Sequence, residues 1–445
     1  MESDKLVGEK GAGGSYASIP FSDVVAGQGR DDKPNSPQAA FVTTFKAVVG
    51  SGFFALPFAL MKSGLYGGLL VVGVVWFFTT YTTKQLVGAA DRLIQDRMVS
   101  GSPALREVGY MDIGHAAYGN SAAVSSFIWV TMVGSQYIAV CAYMVFLQST
   151  LTPLLAVLVY GNHKGHTQLM RDLVLTACCM LQLVLALAPN PAFLGKASNF
   201  GNLAFLLTVI FIFTYGFMYF PPDIEKNTTG FESMPGLYIC FGIACFTLSA
   251  HAEALSIFST SGDKVKQAYP KIIDCVNALA TFFYLGIAVF SYACFGKDTD
   301  QIIFANFTEK GGAIGYVLQL CICAMIVCNY PLTLYPIHQM VEMAFKLEDG
   351  TNSLTVYQII SRYTLVLISG VIAWGTGGKF GMVSTIGGGF IGLVAFVLPP
   401  LFYIRLHGGW SSLSWTEFIL NSIIIFIGFY GSTSSLYHGF VGILK

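Results

Sequence analysis

Two short stretches carry the groups able to do chemistry. In the first, Val49-Gly50-Ser51-Gly52-Phe53 sits in an apolar run that reaches Leu56-Pro57. In the second, Thr247-Leu248-Ser249-Ala250-His251-Ala252-Glu253 puts hydroxyls, an imidazole and a carboxyl into another apolar run, beginning at Phe246. His251 and Glu253 can each take up or release a proton, and Glu253 can also pair with a cation. Residues two apart on a helix do not face each other, so cooperation between the two requires non-helical backbone. No activated nucleophile, metal-ligand set or phosphate loop accompanies the histidine, so a membrane enzyme is a poor fit. All ten cysteines fall inside apolar runs, and Cys178-Cys179 and Cys321-x-Cys323 lack the paired spacing of a zinc site. They read as small apolar filler, and no metal or cofactor is expected.

The elements that must position these groups follow from composition. Of 445 residues 54% are hydrophobic and 11% charged, against roughly 25% charged in ordinary soluble domains. The excess apolar area has to face membrane lipid, and a net charge of zero leaves no broad basic surface for nucleic acid. Hydrophobic stretches of about 20 residues, long enough to cross a hydrocarbon core of about 30 Å, predict an all-α integral membrane protein. Eleven transmembrane helices are expected, over 41–62, 66–90, 121–150, 169–188, 198–220, 236–260, 271–295, 312–337, 355–375, 380–404 and 416–441. Residues 1–38, rich in Gly, Ser and Asp, read as a disordered cytoplasmic N-terminal tail, and 39–445 as one transmembrane domain. A cytoplasmic N-terminus puts about 13 of the 24 Lys/Arg inside and about 8 outside, with Lys46, Lys84 and Arg362 near span ends where they can snorkel. It also puts both N-x-[ST] glycosylation acceptors, Asn227 and Asn306, on the lumenal or extracellular side.

Neither chemistry-bearing run can be a continuous helix. Each glycine costs a helix about 1 kcal/mol relative to alanine, and proline removes a backbone bond. A freed N–H or C=O in lipid costs several kcal/mol, so irregular backbone survives there only where it lines a polar cavity or meets a ligand. Interruptions in spans one and six point to a five-plus-five inverted repeat with the site between the halves. A broken helix offers N–H groups to an anion and C=O groups to a cation a few ångströms apart. An amino-acid zwitterion fits both. The N–H groups of Ser51, Gly52 and Phe53 would take the carboxylate, and carbonyls near Phe246 to Ser249 the ammonium.

The same residues resemble a known family. Lys46-x3-Gly50-Ser51-Gly52-x3-Leu56-Pro57-x-Ala59-x4-Gly64 resembles the first helix of the amino acid/auxin permease family, including its proton-coupled branch. Tyr110-x-Asp112-Ile113-Gly114-x3-Tyr118-Gly119 looks like that family's loop between spans two and three. Ser249-x-His251 with Tyr269-Pro270-Lys271 is similar to span six of its vesicular inhibitory amino-acid branch, Tyr330-Pro331-Leu332-x2-Tyr335-Pro336 to span eight, and Leu398-Pro399 to span ten. The resemblance covers roughly residues 40–405. It implies a LeuT-like fold and secondary transport of amino acids coupled to H+ or Na+. Thr43 stands where the proton-coupled branch carries a histidine, and that branch's span-six Phe-Glu-Gly is absent, which leaves His251 and Glu253 as different candidates for ion coupling. Asn329 and Thr333 on span eight are candidates for the substrate pocket and a cation site respectively.

The expectation is therefore a symporter of small neutral amino acids working by alternating access, in the plasma membrane or an endolysosomal or vacuolar membrane. A cationic amino-acid carrier, with Glu253 pairing the substrate side chain, and a non-transporting amino-acid receptor are the alternatives.

Overall fold

The computed structural model describes residues 36–100, 108–119, 121–161, 167–187, 192–345 and 355–445, and over 192–202, 308–311 and at 343 the helix backbone alone. Every regular element among the described residues is helical. The predicted tail lies, through residue 35, outside them. Ser36 opens the first helix, α1 (Pro37–Val48): its hydroxyl accepts from the Ala39 N–H at 3.2 Å, and Pro37 occupies a first-turn position that needs no N–H. The chain then runs extended through Val49 and Gly50, makes a 3-10 turn over Ser51–Ala55, and continues as α2 (Leu56–Ser63), with a bend of 44° between the two parts.

There follow α3 (Leu65–Val99), α4 (Tyr110–Tyr118), α5 (Ala122–Tyr160), α6 (Gln168–Ala186), α7 (Ala192–Tyr219) and the single turn α8 (Ile224–Asn227). Next come α9 (Met234–Leu248), α10 (His251–Thr260), α11 (Asp263–Phe295), α12 (Phe304–Ala344) and α13 (Val356–Gly375). The last are α14 (Phe380–Gly392), a π turn over Leu393–Val397, α15 (Leu398–Leu406) and α16 (Trp415–Leu444).

Among the described residues nine helices are long and apolar enough to cross a membrane, or ten if the bent pair α1 and α2 counts as one. The sequence expectation of eleven parts from this at 198–220. There α7 runs over Ala192–Tyr219, 28 residues or about 42 Å of helix, of which Leu203–Tyr219 is the apolar part with described side chains.

Burial sorts the helices. The apolar window within Phe380–Leu406 is 89% buried and that within Met234–Thr260 is 72% buried, whereas those of α6, α13 and α16 are 33% buried. The first two segments form the centre of the molecule and the others present apolar side chains such as Leu173, Val371 and Phe426 outward, as lipid requires. The central pair touch backbone to backbone: a Cβ on Gly388 would lie 1.6 Å from the Gly242 carbonyl oxygen, a contact only glycine permits.

Two charged residues near span ends behave differently. Lys84 pairs with Asp274 at an exposed site, in keeping with a side chain that reaches toward water. Arg362 does not snorkel. It is 4% exposed, and its Nε donates to Glu342 Oε1 at 2.8 Å. The sequon asparagines are both engaged: Asn227 Nδ2 donates to the Ala293 carbonyl at 2.7 Å, and Asn306 Nδ2 to that of Asp298 at 2.8 Å. Tyr110–Tyr118 is a short helix whose Asp112 carboxylate accepts from the Gly109 N–H at 2.9 Å.

Candidate functional site

The first interruption exposes both kinds of backbone group. At the end of α1 the Val49 N–H still reaches the Phe45 carbonyl at 3.1 Å, and the Val48 carbonyl is taken by the Tyr284 hydroxyl, also at 3.1 Å. Gly50 is fully extended (φ −124°, ψ −174°), so the N–H groups of Ser51 and Gly52 begin a new turn and have no acceptor in a preceding one, whereas the 3-10 turn over Ser51–Ala55 closes the Phe53 N–H on the Gly50 carbonyl.

The second interruption is the mirror case. Ser249 (φ −90°, ψ 122°) and Ala250 (φ −134°, ψ 43°) leave the helical region between α9 and α10. The Ser249 N–H closes on the Cys245 carbonyl at 3.2 Å. The carbonyls of Phe246, Thr247 and Leu248, one turn later, have lost the donors a continuous helix would bring.

These interruptions abut. A Cβ built on Gly52 would lie 2.7 Å from Thr247 Oγ1 and 3.0 Å from Thr247 Cα, so glycine is needed for the approach. A Cβ on Gly50 would meet nothing within 4 Å, because Gly50 borders a cavity of about 150 Å³. Its wall takes Gly50, Ser51 and Gly52 from the first interruption and Phe246, Ser249, His251 and Glu253 from the second. Ser135, Gln136 and Tyr143 come from α5, Thr333 from α12, and Ile391, Val394 and Ala395 from α14 and the π turn.

Several polar atoms on this wall are buried without a partner: Ser51 Oγ, Ser249 Oγ and His251 Nδ1. The state of His251 follows from its neighbour. Thr82 has one hydroxyl hydrogen and gives it to the Phe78 carbonyl at 2.7 Å. In its 2.9 Å contact with His251 Nε2 it therefore accepts, so the ring carries its proton on Nε2. Nδ1 is then a bare lone pair, able to accept a proton or a ligand N–H. The Gln136 side-chain amide lies beside the Glu253 carboxyl.

Of the residues singled out in the sequence, Gly50, Ser51, Gly52, Phe246, Ser249, His251, Glu253 and Thr333 thus meet at one cavity. Val49, Phe53 and Asn329 are not on its wall. Phe53 packs edge-on to Phe205 with ring centres 4.7 Å apart, and stacks on Tyr284 at 5.8 Å. The contribution of α5 was missed. Its signal was present as Ser135-Gln136 in an apolar run with Tyr143 seven residues on from Gln136, two turns along the same face.

A second buried polar cluster is not on this wall. Glu342 accepts from Arg362 Nε and, at 3.0 Å, from Gln358 Nε2, while Arg362 Nη1 reaches the Ala186 carbonyl at 3.5 Å. His338 shares this region and has neither ring nitrogen bonded.

An all-helical, multi-pass membrane protein with this helix order has the LeuT-like transporter fold. The solved structure of MhsT in complex with L-phenylalanine superposes with a TM-score of 0.55, covering 91% of this chain and 100% of that one at 12% identity. Residues 33–441 match the family described as transmembrane amino acid transporter protein, and the chain belongs to that family. Among its relatives, amino acid transporter AVT3C of Arabidopsis thaliana is 24% identical over 90% of this chain and 91% of its own length. Vacuolar amino acid transporter 3 of Schizosaccharomyces pombe is 24% identical over 82% of this chain and 53% of its own. Sodium-coupled neutral amino acid symporter 2 of Danio rerio is 20% identical over 88% and 79%. The family and these relatives are transporters, not enzymes.

Proposed function

We propose that the chain is a secondary active transporter of small neutral amino acids, working by alternating access around the two interruptions. In this reading α1 with α2, and α9 with α10, are broken spans one and six of an eleven-span, five-plus-five arrangement with a cytoplasmic N-terminus. The observation that carries it is the cavity itself: it lies between bare N–H groups and bare carbonyls, and its wall holds Ser51 Oγ, Ser249 Oγ and His251 Nδ1 without partners. Buried polar groups are ordinarily satisfied, so an unsatisfied set facing a space implies a ligand that completes it.

Size supports a small substrate. A cavity of about 150 Å³ holds a benzene-sized molecule, enough for alanine, serine or threonine and too little for the extended side chain of lysine or arginine. This disfavours a cationic carrier although Glu253 borders the space. The vacuolar relative supports an endolysosomal or vacuolar membrane.

Coupling falls to His251 and Glu253 if the ion is H+, with the bare Nδ1 as the port, and to Thr333 with the α1 carbonyl end if it is Na+. Uptake of labelled amino acids into proteoliposomes, with and without a pH gradient, tests this. Acceleration by the gradient, flattened in Glu253→Gln, is expected. Equal rates in both conditions remove proton coupling, and absence of net flux at any gradient removes the transporter.

A further inference from the structure

We propose that the main-chain carbonyls of the π turn form a third polar pole of the cavity, one that receives a hydrogen-bond donor on the substrate's side chain. The transporter then prefers serine over alanine and threonine over valine. The proposal rests on the cavity being the amino-acid site.

The argument begins in the covalent structure. The carbonyl of residue i accepts from the N–H of i+4 in an α-helix and of i+5 in a π-helix. For Ala395 these residues are Pro399 and Pro400, and neither has an N–H. The Leu398 N–H is given to the Leu393 carbonyl, closing the π turn. Val394 thereby loses its α-type donor, and its π-type donor would be Pro399. Among the described residues no side chain donates to either carbonyl.

Both residues are sealed from the outside, at 6% and 1% exposed, and both line the cavity. A donor can therefore reach their carbonyls only from within it. An acceptor left unmet in such a place costs about 1–3 kcal/mol, and π turns are frequent at functional sites.

The other two poles are already assigned. The bare N–H groups after Gly50 suit the substrate carboxylate and the carbonyls ending α9 its ammonium, which turns the side chain toward what remains of the wall. That remainder sets Met132, Ala139 and Ile391 beside the side chains of Ser135, Gln136, Tyr143 and Thr333, and the π turn supplies its main-chain acceptors. Such a wall fits a short chain bearing one hydroxyl. Apolar fit alone separates threonine from valine poorly, because the two are close in shape, whereas a site built around a hydrogen bond rejects the analogue that lacks it.

Equilibrium binding of labelled serine, alanine, threonine and valine to the purified full-length protein tests the idea, with melting temperature followed in parallel. The wild type should bind threonine over valine, and serine over alanine, by about tenfold or more, a ratio worth about 1.4 kcal/mol. Pro399→Ala supplies an N–H four residues after Ala395. It should bring both ratios near unity, leave valine and alanine binding as before, and raise the melting temperature. Pro400→Ala, which supplies the π-type donor, should act in the same direction and serves if Pro399→Ala does not fold.

Equal binding of threonine and valine by the wild type overturns the proposal, as does a ratio that survives both proline variants. A ratio that survives while a sodium-dependent rise in melting temperature disappears also overturns it, by showing that the carbonyls hold a cation. Binding of none of the four overturns the amino-acid site together with this inference, and so is distinguishable from the other results.

Discussion

Two of the places where the molecule buries polar groups treat them in opposite ways. Around Glu342 the carboxylate meets Arg362 and Gln358, and the guanidinium extends to a backbone carbonyl, so the charges of α12 and α13 are consumed in holding helices together. Around the cavity the helices are held by glycine contacts and aromatic packing instead, and Ser51, Ser249 and His251 keep atoms unpaired. Burial of charge or polarity inside a membrane protein therefore does not by itself mark a site. What marks it is an unmet valence next to empty space.

That contrast can be broken at either end. The largest effect is expected from Arg362→Met, which strands the Glu342 carboxylate. Breaking one side of a buried pair costs about 3–5 kcal/mol, visible as a marked fall in melting temperature, and adding Glu342→Met should return most of it. If Arg362→Met folds as well as the wild type, the cluster is not structural.

Gly50→Leu should do the reverse. Its side chain enters open space, so melting is nearly unchanged while amino-acid binding is abolished; normal binding by this variant would detach the cavity from function. Gly52→Ala, by contrast, drives a Cβ into Thr247 Cα and should damage both readouts.

A smaller effect is expected from Ser249→Ala. Deleting an unpaired buried hydroxyl removes a penalty of about 1–3 kcal/mol, so the empty protein should be as stable as wild type or more so, while binding weakens. A loss of stability would mean that the hydroxyl already has a partner. Smallest of all is Lys84→Met: an exposed pair is worth about 0–1 kcal/mol, and a larger drop would set Lys84 beside Arg362 as a structural charge.

The interruptions were legible because their cause is local. Gly50-Ser51-Gly52 with Pro57, and His251 with Glu253, disfavour continuous helix through their own chemistry, and seven of the residues named on that basis line one cavity with Thr333. Arg362 was misread because its partner stands on another helix: nothing within its own span distinguishes a lysine-like snorkel from a buried pair. Phe53 follows Gly52 directly but turns into an aromatic cluster, a matter of side-chain direction that spacing does not carry. The π turn was half visible, since Pro399-Pro400 announces missing donors, yet which carbonyls lose them depends on a register only the fold supplies. The span over 198–220 was read from hydropathy, and the helix Ala192–Tyr219 occupies all but its last residue.

The claim on which the account turns is that the two interruptions grip one amino acid between them. Determining the structure of the purified protein with serine bound tests it most directly. The account predicts the carboxylate against the N–H groups of Ser51 and Gly52, the ammonium against the carbonyls that end α9, and the Arg362 cluster unchanged. Serine seated at the Arg362 and Glu342 cluster, or bound with the space beside Gly50 left vacant, would contradict it.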